Sequence, residues 1–152
     1  MRLTLIAVGR AKARPERDLF DYFARRITMP FELREVEEKK NFSGLELKRR
    51  EANLLNAAVP EGAVRIALDE KGEDLTSREF AKKIGQWRDE SIRDVAFIIG
   101  GANGLDAGFL KKCDHIMCLG KQTWPHMLVR SLVVEQLYRV QCILAGHPYH
   151  RD

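Results

Sequence analysis

Residues 94–104 read DVAFIIGGANG, an unbroken apolar run from Val95 to Ile99 followed at once by Gly100, Gly101 and Gly104. A strand with one wet face alternates apolar and polar residues. A continuous run needs cover on both faces, as a central strand of a parallel sheet has. Glycines directly after such a strand mark either a sharp turn or a place where a ligand approaches the backbone. Their spacing is G-G-x-x-G, which is not the dinucleotide fingerprint, and no G-x-x-x-x-G-K-[ST] phosphate loop occurs in the chain. Nicotinamide and nucleoside triphosphate sites of the familiar kinds are therefore set aside.

Working outward, strand-like and helix-like segments alternate. Towards the N-terminus, 2–8 (RLTLIAV), 31–36 (FELREV) and 63–68 (AVRIAL) read as strands, the last ending at Asp69. Between them Pro15 opens a helix with Leu19, Phe20, Phe23 and Ile27 at helical spacing. Ser43 with Glu46, and Thr76 with Glu79, are capping-box signatures for helices over about 44–58 and from 76 towards Glu90. Towards the C-terminus come a short helix around 106–112 and a strand at 115–119. A last helix carries Val129, Leu132, Val133, Leu137, Val140 and Leu144 on one face and closes at Gly146. The alternation predicts an α/β fold, a mainly parallel sheet with flanking helices. Ligands of such sheets bind beyond the carboxyl ends of the strands.

A chain of 152 residues, 45% hydrophobic and 32% charged, is one domain over 1–152 with a substantial core, and disorder is excluded. The apolar stretch at the N-terminus is too short for a membrane span and lacks a cleavage site, so it reads as a strand and not as a signal peptide. Cys113, Cys118 and Cys142 are odd in number and form no C-x-x-C pair. They read as small core residues in a reducing, cytoplasmic setting. The net charge of +4 is a weak hint of a polyanionic partner. The last third is more telling, for all four histidines lie between His115 and His150.

Three stretches carry candidate chemistry. The glycine loop is the first. The second, Leu119 to His126 (LGKQTWPH), is another loop at a strand's carboxyl end, and Pro125 fixes the chain before the last helix. It reads either as a backbone cradle for a cofactor or as an ordinary connection. The third is the tail, 146–152 (GHPYHRD), denser in functional side chains than a fraying terminus. Its histidines lack further metal ligands at recognisable spacing, and no metal is expected. A tyrosine to stack, an arginine for phosphate and histidines for protons suit an RNA substrate. Glu135 reads as a salt-bridged helix carboxylate or as an orienting group, and Lys48-Arg49-Arg50 as one exposed helix face.

Taken in order, MRLTLIAVGR, IIGGANG, WPHMLVRSLVVEQLYR and the closing HPYHRD resemble the ribosomal large-subunit pseudouridine N3-methyltransferase family, small members of the SPOUT or α/β-knot methyltransferases. The resemblance spans the whole chain and is loosest over 37–60. It implies a SPOUT α/β fold with a C-terminal trefoil knot. It implies a homodimer that methylates N3 of a pseudouridine in the helix 69 loop of 23S rRNA, on assembled ribosomes, from S-adenosylmethionine. Carried over by position, the cofactor residues are Leu68, Gly100, Leu119, Gly120, Lys121, Gln122, Thr123 and Trp124. The catalytic candidates are His126, Arg130, Tyr149, His150 and Arg151. Valine at Gly100 is expected to obstruct the pocket alone, and a dimer is expected to use the last helix, where Val134 and Tyr138 widen the apolar face. The competing readings are a non-enzymatic ribosome- or RNA-binding module and a knot methyltransferase acting on tRNA.

Overall fold

Residues 94–99 occupy the centre of the sheet, as their apolar continuity requires. The structure is a computed structural model that describes residues 1–151; Asp152, the last residue of the tail motif, lies outside the described residues. The central strand β4 (Asp94–Ile99) lies between β1 (Arg2–Val8) and β3 (Val64–Asp74). With β2 (Phe31–Val36) and β5 (His115–Cys118) at the edges, the order is β2-β1-β4-β3-β5 and every pairing is parallel.

Successive residues of β4 serve opposite cores. Val95, Phe97 and Ile99 pack with Phe20 of α1 (Pro15–Ala24), Phe80 and Ile84 of α3 (Ser77–Asp89), and Val133 and Leu137 of α5 (His126–Leu144). Ala96 and Ile98 turn to the other face, against Leu55 of α2 (Gly44–Ala58) and Phe109 of α4 (Ala107–Leu110). Both faces of the strand are dry. Three helices cover one side and two the other, so the carboxyl ends of β1, β4, β3 and β5 open along one rim.

The local signals hold at some helix ends and not at others. Thr76 and Glu79 form the reciprocal capping box: the Thr76 hydroxyl accepts from the Glu79 N–H at 3.2 Å, and Glu79 accepts from the Thr76 N–H at 2.8 Å. At Ser43 the helix begins where expected, but no side-chain bond caps it. Leu19 is 41% exposed and Ile27 lies beyond the end of α1, so the inward stripe of that helix is narrower than its spacing suggests. The short helix and fifth strand are also briefer than expected, ending at Leu110 and Cys118.

The largest departure is β3. It does not stop at Asp69 but resumes pairing with β5 after a bulge: Met117 faces Leu68 and then Glu73. Gly72 makes this possible, since a Cβ there would lie 2.5 Å from the Met117 carbonyl carbon. Only glycine fits so close an approach.

Candidate active site

At the carboxyl ends of β3, β4 and β5 lies a cleft of about 530 Å³. It brings together Leu68, Gly100, Leu119, Gly120, Gln122, Thr123 and Trp124, seven of the eight positions carried over for the cofactor. Lys121 does not line it and is exposed. The loop is held shut by the Trp124 indole, whose Nε1 donates to the Leu119 carbonyl at 2.9 Å. Gly120 takes a φ of +81°, open to glycine at little cost.

Gly100 belongs to the glycine turn before it belongs to any ligand. A Cβ on it would sit 2.9 Å from the Gly104 carbonyl carbon and 3.1 Å from Leu105 Cγ. The turn closes on itself, with the Gly104 N–H bonded to the Gly101 carbonyl at 3.0 Å. Valine here would therefore distort the loop itself, whereas the sequence suggests that it would obstruct the pocket alone.

The cleft also has walls the sequence reading missed. The β3 bulge carries Asp69, Glu70 and Lys71 over its edge. No local motif marks them, because the bulge is a tertiary pairing with Met117. Lys48 reaches in from α2, so Lys48-Arg49-Arg50 is not one solvated face. Arg49 is exposed, while Arg50 stacks 3.7 Å over the Phe42 ring. Glu51, 8% exposed, stands beneath the turn, its carboxylate 3.2 Å from where a Gly101 Cβ would be. Burial raises its carboxyl pKa above the usual range, and Lys48 only partly offsets this.

Two catalytic candidates sit at the amino end of α5. His126 lines the cleft and also a second, smaller cavity beside it. Burial, helped by the Arg130 charge, lowers its pKa, so the ring is neutral at physiological pH, and no hydrogen bond among the described residues ties it. Arg130 is 2% exposed and already engaged: it donates to Glu35 at 2.7 Å and to the Val8 and Gly9 carbonyls at 2.7 and 2.8 Å. It pins α5 to the carboxyl end of β1.

The tail residues are gathered elsewhere. The Tyr149 hydroxyl donates to Glu135 at 2.9 Å, its ring lies 4.8 Å from that of Tyr138, and the Arg139 guanidinium stands over it. Arg139 also pairs with Glu135 and reaches His150 Nδ1 at 3.3 Å. Arg151 is exposed. Burial and the bond to Glu135 push the Tyr149 phenol up to about 12, so it acts as a donor and not as a base. None of Tyr149, His150 and Arg151 lines the cleft of its own chain. Glu135, however, borders a third cavity that shares the Leu119, Gly120 and Trp124 wall with the cleft.

A parallel sheet with a cleft at three adjacent strand ends, walled by two glycine-bearing loops, defines a ligand-binding α/β domain. Comparison with known proteins narrows the class. The family described as "Predicted SPOUT methyltransferase" matches residues 1–150. The chain belongs to the SPOUT methyltransferase family. It is similar to proteins named ribosomal RNA large subunit methyltransferase H: 54% identical over 151 residues to that of Rhodospirillum centenum, covering 99% of both chains, and 48% identical over 152 residues to that of Rhodospirillum rubrum, covering 100% of both. In fold it is similar to a probable methylase family protein from Haemophilus influenzae Rd KW20, with a TM-score of 0.60 at 12% identity, over 99% of this chain and 70% of that one. A probable methyltransferase from Bordetella pertussis Tohama I gives a TM-score of 0.58 at 19% identity, over 91% and 95% of the two chains.

The chain is a methyltransferase, and S-adenosylmethionine is its methyl donor. The cleft suits that group: Leu68, Ile99, Leu110 and Leu119 give apolar walls, and the two loops present backbone groups beside them. Among the described residues no group of three or more His, Cys, Asp or Glu is placed to hold a metal ion.

Proposed function

We propose that this enzyme methylates N3 of a pseudouridine in the helix 69 loop of 23S rRNA, within assembled cytoplasmic ribosomes. The observation that carries the proposal is the single cleft uniting Leu68, Gly100 and the 119–124 loop, with the neutral His126 at its border. The name shared by the full-length relatives supports an rRNA substrate. Among the described residues no helix is long and apolar enough to cross a membrane.

S-adenosylmethionine, when bound, supplies a methyl group already activated on a sulfonium. The protein's task is to hold the acceptor nitrogen in line and to take its proton. N3 carries an imide hydrogen, so the bond to carbon forms as that hydrogen leaves. His126 is the proposed acceptor, being neutral, without a hydrogen bond among the described residues, and placed where the cleft meets the second cavity. Leu68, Gly100, Leu119, Gly120, Gln122, Thr123 and Trp124 would hold the cofactor, and Lys121, carried over with them, would not touch it. Arg130 would position His126 from the buried side. Tyr149, His150 and Arg151 would grip the nucleotide and its phosphate.

The tail does not reach its own cleft, and this favours a homodimer in which one subunit's tail completes the other's site. The helix after Pro125 would pack at the interface, but Val134 is 0% exposed and belongs to the chain's own core. Tyr138 stacks on Phe23 and Tyr149. The outer surface left for a partner runs through Leu132, the tail and Leu144, which is 36% exposed. The C-terminal trefoil knot belongs to the same reading. An RNA-binding module without catalysis would have no use for the cofactor cleft, and a tRNA enzyme would methylate transcripts without ribosomes.

Tritium transfer from labelled cofactor to methyl-deficient ribosomes tests the proposal, with tRNA transcripts as the parallel substrate. Label on ribosomes, retained at one pseudouridine of 23S rRNA, is the expected result. Label on tRNA alone, or binding of S-adenosylmethionine with no transfer, would overturn it.

A further inference from the structure

We propose that Lys48, reaching the cleft from α2, binds the α-carboxylate of S-adenosylmethionine and so selects the amino-acid end of the cofactor. This rests on the reading that the cleft is the cofactor's site. It adds a residue that lies outside the positions carried over for that site.

Lys48, Arg49 and Arg50 follow one another on α2, and of the three only Lys48 lines the cleft. Arg49 is exposed, and Arg50 is committed, stacked over the Phe42 ring and paired with Glu46 at 3.4 Å. Lys48 is half-buried and has no ion pair or hydrogen bond among the described residues. The nearby acid on the same helix, Glu51, is turned to the glycine loop instead. Its two carboxylate oxygens lie 3.2 and 3.3 Å from where a Gly101 Cβ would be. Glu51 does not line the cleft, and burial favours its uncharged form. An ammonium partly withdrawn from water without a counter-ion is costly, and an anionic group on a ligand offsets that cost.

The cofactor has one such group. Its adenine and ribose are uncharged, its sulfonium and α-ammonium are cationic, and the α-carboxylate is its sole anion. A lysine beside the sulfonium would repel it, so Lys48 belongs at the amino-acid end. The topology agrees. Helix α2 covers one face of the sheet through Leu55, and α5 covers the other through Val133 and Leu137. His126 heads α5, so the proposed proton acceptor and Lys48 come to the cleft from opposite faces. The acids of the wall fit the same orientation. Asp69 is half-buried and, two residues after Ala67 on β3, falls on the α2 face by alternation. There it suits the α-ammonium, which shares a carbon with the carboxylate. Glu70 and Lys71, the other charged residues of the bulge, are exposed.

The test is calorimetry on the whole protein with three ligands: S-adenosylhomocysteine, its decarboxylated form, and methylthioadenosine, which lacks the entire amino-acid end. The unaltered protein should bind the decarboxylated form at least about ten-fold more weakly than S-adenosylhomocysteine, as loss of a charged hydrogen bond requires. Lys48→Met keeps the apolar stem and should weaken S-adenosylhomocysteine by about the same factor. The other two ligands should change by less than about two-fold, because residue and carboxylate are then two halves of one interaction. Asp69→Asn should weaken the two ligands that carry the amine and spare methylthioadenosine. Equal loss of all three would move Asp69 to the ribose and overturn its part. Equal affinity of the unaltered protein for S-adenosylhomocysteine and its decarboxylated form would overturn the proposal, whatever the variants do. So would a Lys48→Met protein that loses all three ligands alike. Unchanged S-adenosylhomocysteine affinity with a raised KM for ribosomes would give Lys48 to an RNA phosphate and overturn it too. If the unaltered protein binds none of the three, the cofactor reading itself falls, whereas binding without discrimination removes Lys48 alone.

Discussion

Arg130 and Arg139 lie on the same helix, each beside a glutamate, yet they hold different things. The Arg130 partner is Glu35, on a strand far away in sequence, and the guanidinium is 2% exposed. The Arg139 partner is Glu135, one turn back on the same helix, and the arginine side chain is 23% exposed. The first pair fastens the amino end of α5 to the sheet beside the cleft. The second fastens no other element of the core, and instead holds Tyr149 and His150 in place on the surface. The first pair ties the helix into the core, and the second ties the tail onto the helix.

The largest expected effect falls on the buried pair. Arg130→Ala leaves Glu35 without its partner, frees the Val8 and Gly9 carbonyls and opens a hole beneath His126. Breaking a buried pair in this way costs about 3–5 kcal/mol. Urea unfolding at fixed protein concentration should show that loss, with cofactor affinity falling in parallel. A change under about 1 kcal/mol would erase the contrast with Arg139.

Removing residues 149–152 comes next, and the balance of effects should invert. The deletion removes no periodic apolar position, which by itself suggests a negligible effect on stability. The structure adds an aromatic contact, a cation over the ring and a hydrogen bond, so the cost rises to about 1–2 kcal/mol. Methyl transfer to ribosomes should drop at least about 100-fold, roughly 2.7 kcal/mol of barrier. Calorimetry with the cofactor on the same protein should show little change. Near-normal transfer would place the whole active site within the strand-end loops.

Glu135→Gln and Tyr149→Phe sharpen the same contrast on a smaller scale. The amide keeps an acceptor for the phenol but loses the charge facing Arg139, and phenylalanine keeps the ring but loses the donor. Each should lower transfer by about ten-fold, with stability changed by no more than about 1 kcal/mol, because this partly buried cluster ties the tail to the helix and no core element to another. If either unfolds the protein as Arg130→Ala does, the tail is part of the core after all.

What could be read from the chain follows the same division. Four of the five strands and most helix starts were legible, because continuous apolar runs and proline positions act locally. The place of the cleft was legible too, since Gly100 and most of the 119–124 loop lie at strand ends, where a parallel sheet opens to ligands. The second half of β3 was not: its pairing depends on Gly72 lying against Met117, far along the chain. The failed cap at Ser43 shows that a local signature is permission and not obligation. Arg130 carried the right residue type for catalysis, and nothing in its neighbourhood revealed that Glu35 and two carbonyls would claim it. Glu135 was legible as a paired carboxylate but not as the anchor of the tail, because Tyr149 reaches it only after the chain reverses at Gly146, where φ is +68°.

The smallest effects on stability are two titrations, one at each end of the helix, and they should run in opposite directions. Burial, with the Arg130 charge behind it, depresses the pKa of His126. The folded chain therefore prefers the neutral ring, and the stability this contributes is present above the ordinary value of about 6.5 and lost as pH falls below it. Transfer activity should decline along the same acid limb if His126 takes the proton, and His126→Asn should abolish that limb along with most of the rate. At the other end, burial and Glu135 raise the Tyr149 phenol to about 12. The folded chain keeps a proton that the unfolded chain gives up, so this contribution is complete below about pH 10 and disappears as pH climbs from there towards 12. Tyrosinate absorbance, recorded as the difference between the protein and Tyr149→Phe, should place this phenol well above the ordinary tyrosine range. A Tyr149 titrating near 10 would mean that Glu135 does not hold the tail in solution. Histidine ring resonances followed through the acid range provide the matching check, and a His126 titrating at or above 6.5 would remove it as the neutral acceptor beside the cleft.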